Sequence, residues 1–206
     1  MRRTIVALSI CLFAGQIAVA LNTGKPCRNQ SAWEQVGDQA ISMVNWNWKP
    51  VLPGWSIQLG SEVPGYRGLA SRKLRLIMVW VRPNDSPEMV AGTVVHELAH
   101  AFDWEYLTPA LREEWIKTRG LPPDTPWYSP SGILQSDFLY GAGDFAEAVA
   151  WTLQGPAVGF RSCLGLQLDE TEKRRVVLGC NGPPPSEAAQ ELVRRWLEEL
   201  PKAGGK

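Results

Sequence analysis

From residue 31 onward, the spacing of apolar and polar positions marks out helices and strands. Ala32 to Val44 sets Trp33, Val36, Ala40, Ile41 and Val44 at helical intervals, with Ser31 placed to cap the start. Pro50, Pro53 and Gly54 break this pattern. Trp55 to Leu59 alternates as a strand does, and Gly60 to Gly68 is rich in turn residues. Leu74 to Val81 is the strongest strand signal, an apolar run closed by Pro83 and Asn84. Ser86, Pro87 and Glu88 then open a helix. Serine suits the cap, proline the first helical position, and an acid the positive helix end. This helix runs to about Tyr106 and is apolar nearly all round, which predicts that it is buried.

The second half reads as helices separated by breakers. Pro109 to Arg119 is helical and ends at Gly120. Leu121 to Asp137, with its Pro, Ser and Gly, predicts a long surface loop. Gly143 and Asp144 precede a helix over Phe145 to Leu153, stopped by Gly155 and Pro156. Two more helices are expected over Asp169 to Leu178 and Ser186 to Leu200, and the tail from Pro201 is expected to fray. There is no internal repeat. The pattern predicts an α+β single domain: a small sheet containing Leu74 to Val81 packs on the buried helix, with further helices C-terminal.

The N-terminus predicts export. Arg2 and Arg3 precede an apolar run, Thr4 to Ala14, and Ala18-Val19-Ala20 is a small-x-small cleavage site. Residues 1–20 are therefore expected to be a signal peptide, and 21–206 a secreted or cell-envelope domain. The apolar run is short for a bilayer span, so no stable membrane insertion is expected after cleavage. Export permits disulfides. Without Cys11, the remaining Cys27, Cys163 and Cys180 allow one pair and one odd thiol, and Cys163 with Cys180 is the more local pair.

Charge narrows the partners. The chain has 21 basic and 21 acidic residues. Without Arg2 and Arg3, 19 basic residues face 21 acidic ones, so there is no electrostatic reason to expect nucleic acid. A monomer is expected. The ten Trp residues are expected chiefly in the core.

The chemistry lies in His96-Glu97-Leu98-Ala99-His100, inside the buried helix. Positions i and i+4 share a helix face, so the two imidazoles can converge on one Zn²⁺. Glu97, one residue after the first histidine, is placed as general base toward a zinc-activated water. His96 and His100 are the chain's two histidines, so the third ligand must be another residue type. Asp103 is near in sequence, but on the same helix it is carried a turn away. Glu147 is the better candidate, because a second helix crossing the first can bring its carboxylate to the metal. Asp144 is placed either to cap that helix or, like Asp103, to hold a ligand histidine by a hydrogen bond from behind.

His-Glu-x-x-His with a downstream Asp-Phe-Ala-Glu helix resembles the gluzincin metallopeptidases. The closer resemblance is to the anthrax-lethal-factor-like group, which includes the secreted Pro-Pro endopeptidases. It covers Leu74 to Leu153. The resemblance implies a zincin-like fold, with His96, His100 and Glu147 as zinc ligands and Glu97 as base. It also implies Tyr140, seven residues before Glu147, as hydrogen-bond donor to the developing oxyanion. The expected function is a secreted zinc endopeptidase acting on a peptide or protein. The rivals are a catalytically silent zincin-fold binding protein at the cell surface, a Trp-rich binding module with structural zinc, and a zinc hydrolase of non-peptide amides.

Overall fold

The first helix begins where its capping residues put it. In the computed structural model, which describes residues 31–130, 137–166, 168, 172 and 179–204, α1 spans Ala32–Met43. The Glu34 carboxylate accepts the Ser31 backbone N–H at 2.7 Å, which completes a capping box. The expected leader, Cys27 and most of the helix expected over Asp169 to Leu178 lie outside the described residues.

After a short α2 (Trp48–Val51) come three strands: β1 (Ser56–Ser61), β2 (Gly68–Ser71) and β3 (Leu76–Val81). Their order is β1-β3-β2, with β1 parallel and β2 antiparallel to the central β3. Ile77, Val79 and Val81 alternate inward on β3 and are buried. The strand starts later than its apolar run suggests, because Arg75 turns the chain at φ 48° and Leu74 is left exposed. β2 left no pattern in the sequence. Its four residues, Gly-Leu-Ala-Ser, are half-buried throughout and include no β-branched or aromatic residue.

The central element is α3 (Pro87–Tyr106), capped by Ser86 Oγ accepting from Met89 N–H. It is buried from Val90 through Ala99, and it packs on β2, β3, α1 and α5 (Gly141–Gln154). Burial on every side explains why its apolar residues do not keep to one stripe. Helix α4 (Pro109–Thr118) and helix α6 (Glu187–Glu199) pack against α5 and each other. Every tryptophan is buried or half-buried, as expected of core residues. No helix of the described residues is long and apolar enough to cross a membrane.

The region from Leu121 onward is not the plain surface loop its composition suggests. Leu121 is buried and Trp127 packs on the core. The carbonyls of Pro126 and Trp127 accept the Gly141 and Ala142 N–H groups at 3.0 and 2.9 Å, satisfying the free donors at the start of α5. Trp127 sits so close to Gly141 that a Cβ there would meet its ring at 2.6 Å. These contacts start α5 four residues earlier than Phe145.

Asp144 is therefore the fourth residue of α5, not its cap. It is fully buried, and it accepts from Arg119 Nε (2.9 Å) and Nη2 (3.0 Å), Trp115 Nε1 (3.1 Å) and Ser162 Oγ (2.7 Å). The Cys163–Cys180 disulfide closes the adjacent segment. Asp144→Ala strands the Arg119 guanidinium in the interior. It is expected to cost about 3–5 kcal/mol, read by denaturant unfolding. A loss below about 1 kcal/mol would show that the ion pair is not a keystone of the α4–α5 packing.

Candidate metal centre

His96 is the tenth of the twenty residues of α3, so both histidines lie near the middle of this helix, four apart and on one face. Their rings meet edge to face with centroids 4.9 Å apart. The two Nε2 atoms are 3.1 Å from each other. A carboxylate oxygen joins them: Asp137 Oδ2 lies 3.0 Å from His96 Nε2 and 2.7 Å from His100 Nε2. Asp137 opens a 3-10 turn, Asp137–Leu139, just before α5.

The structure thus sets Asp137, rather than Glu147, against the converging nitrogens. Glu147 is on the other side of His96, with Oε1 2.9 Å from Nδ1 in a contact short of ideal hydrogen-bond alignment. Its position on α5 carries it behind the ring. There it accepts the Arg161 backbone N–H at 2.9 Å and the Arg161 Nη2 at 3.0 Å, and it is almost wholly buried. A carboxylate at Nδ1 favours the tautomer with its proton there, which leaves Nε2 free to bind a metal.

The other expected site residues have different work. Asp103 is fully buried and accepts from Arg112 Nε (2.9 Å), Trp127 Nε1 (3.0 Å) and the Tyr128 hydroxyl, so it anchors the strap from Leu121 to the end of α3. Neither Asp103 nor Asp144 pairs with a histidine. Tyr140 caps α5, and its backbone N–H donates to the Asp137 carbonyl at 2.9 Å, which ties it to the candidate ligand through the main chain.

Glu97 is buried on the same helix, beside β2. A Cβ at Gly68 would lie 2.3 Å from Glu97 Oε1, so only glycine lets this strand cross so close to the carboxylate.

The electrostatics follow from burial and convergence. Burial pushes the Glu97 carboxyl above its ordinary range, opposed by the two histidines. Burial works against a charged His96, yet Asp137 and Glu147 hold its pKa up to about 10. Asp137 stays well below the usual carboxylate range: burial opposes this, and His96 and His100 outweigh it. Glu147 is also lowered, against its burial, by His96 and Arg161.

The donor set fits zinc. Separations of 2.7–3.1 Å among three N and O donors approach the ~3.3 Å edge of a tetrahedron with bonds of about 2.0–2.1 Å. Among the described residues, no fourth His, Cys, Asp or Glu joins this group.

Asp137 is the member of this candidate site that the sequence did not announce. It lies at the end of an aperiodic polar stretch, in the loop expected over Leu121 to Asp137. One signal was available in Gly143: a Cβ there would meet the Asp137 carbonyl oxygen at 2.2 Å, so the glycine admits the Asp137 turn against α5. No protein-family model matches the chain, and neither does any curated protein or solved structure.

Proposed function

We propose that this chain is an exported zinc-dependent endopeptidase of zincin-like fold, with zinc held by His96, His100 and Asp137 and with Glu97 as general base. The observation that carries this reading is the convergence of three donor atoms beside a buried carboxylate on the same helix. With Asp137 as the third ligand, Glu147 orients His96, and the resemblance to gluzincins narrows to the His-Glu-x-x-His helix.

When bound, the ion polarises the scissile carbonyl and lowers the pKa of water. This chain's residues supply the rest. The Glu97 carboxylate takes the proton of the attacking water and passes it to the leaving amine. Its burial raises its basicity for that task. Glu147 and Arg161 fix the His96 ring. Tyr140, tied to Asp137 through its backbone N–H, is our candidate for the developing oxyanion. β2 is an edge strand with no partner on its outer side among the described residues, and it crosses beside Glu97, where an extended peptide can pair with it.

Purified protein is expected to bind about one zinc per chain, cleave members of an unbiased peptide library, lose that activity to chelator and regain it with zinc. Metal analysis and mass spectrometry of the products check this. A protein that binds zinc yet cleaves no peptide would leave the silent binding protein as the better reading.

A further inference from the structure

Arg67, Arg82, Met89, Val158 and Arg161 line a cavity of about 250 Å³. Three guanidinium groups around so small a space repel one another unless anions compensate them. Two are compensated from within. Arg67 Nη2 is 2.9 Å from the buried Asp85 carboxylate, and Arg161 Nη2 is 3.0 Å from Glu147. Arg82 is different. Among the described residues no carboxylate side chain pairs with its guanidinium, whose Nη2 donates to the Tyr66 carbonyl at 3.2 Å. Arg82 Nε and Arg161 Nε are moreover buried N–H donors without an acceptor. Neither Nε has solvent-accessible surface, so what a ligand in the cavity meets is the uncompensated charge of the Arg82 guanidinium.

Asp85, in the turn after β3, holds the Arg67 guanidinium with Oδ1 while its Oδ2 accepts the Arg82 backbone N–H at 2.9 Å, so one carboxylate ties the segment before β2 to the end of β3. The Arg161 guanidinium lies over the Phe138 ring, 5.4 Å from its centroid. Val158 closes the apolar wall, packed so near Gly92 that a Cβ there would be 2.8 Å away.

Its position relates it to the metal centre. Met89 and His96 are seven residues apart on one face of α3, about 10 Å along the axis. Arg67 precedes Gly68, which abuts Glu97, and Arg161 holds Glu147, which contacts His96. An extended peptide advances about 3.3 Å per residue, so a group within three residues of the scissile bond reaches this cavity.

Building on the peptidase reading, we propose that the cavity is a specificity subsite for a carboxylate of the substrate. The carboxylate comes from an acidic side chain or from the peptide's own C-terminus. It compensates the Arg82 guanidinium, with Met89 and Val158 against its aliphatic stem.

The test uses the zinc-loaded full chain and matched heptapeptide libraries: a fixed Glu against Gln at each position, and free against amidated C-termini. Charge-assisted hydrogen bonds predict a preference of about 10- to 100-fold in kcat/KM, mostly through KM, for Glu over Gln or for free over amidated ends. Whichever pair shows it identifies the source of the carboxylate. Arg82→Gln should abolish the preference, read as the ratio within each pair on the same variant, and Arg82→Lys should restore part of it. Equal cleavage of every pair, or a preference that survives Arg82→Gln, overturns the subsite. Capture of the same libraries on immobilised Glu97→Gln protein separates the two ideas. Retention of acidic members with no cleavage by the parent protein overturns the peptidase reading alone. Neither retention nor cleavage overturns both.

Discussion

Glu97→Gln is expected to keep zinc at one per chain and to slow peptide hydrolysis by about 10²–10⁴-fold, the usual worth of a positioned general base. The substitution suits the site. Glutamine has nearly the shape of glutamate, and the side chain is confined between α3 and the Gly68 crossing, where a larger group has no room. The packing is therefore preserved and the proton acceptor removed. The loss should appear in kcat with KM little changed, because nothing assigns Glu97 to ground-state binding. Zinc content measured on the same sample makes the result decisive. A variant as active as its parent would refute the base assignment, and one that loses zinc would mean that Glu97 supports the metal and not the proton transfer.

Much of this arrangement was legible in the sequence, in places where local chemistry decides structure. Ser31 and Ser86 each stand just before the helix they were expected to cap, because capping needs only a side-chain oxygen and nearby N–H groups. The two histidines at i and i+4 had to share a face once the helix was recognised. What escaped depends on long-range packing. β2 exists because β3 offers it an edge, and nothing within Gly68–Ser71 announces a strand. Asp144 resembled a cap until Pro126 and Trp127 were found to satisfy the donors upstream of it. Asp137 and Glu147, ten residues apart, lie on opposite nitrogens of His96. Only the docking of α5 on α3 decides which carboxylate meets Nε2 and which meets Nδ1.

That distinction yields the second large effect. Asp137→Ala should weaken zinc binding by far more than Glu147→Ala, because one removes a donor and the other an orienting partner. Loss of a partner that only touches a ligand costs about 10–100-fold in metal affinity. Glu147→Ala should fall in that range, and Asp137→Ala should exceed it and abolish turnover. If Glu147→Ala proves the more damaging for zinc, the metal sits where the gluzincin resemblance implied, and Asp137 is not a ligand. Protons provide an independent reading of the parent protein. Asp137 and Glu147 hold His96 up to about 10 in the metal-free state, so it is charged at neutral pH. Zinc requires its Nε2 without a proton, so binding at pH 7 should release about one proton from this residue. Affinity should then rise about tenfold per unit from pH 6 to 8, since both values lie below the His96 pKa. Calorimetric titration in two buffers of different ionisation enthalpy counts that proton. A count near zero would show that His96 is already neutral in the metal-free protein, and that the two flanking carboxylates do not hold a charged ring between them.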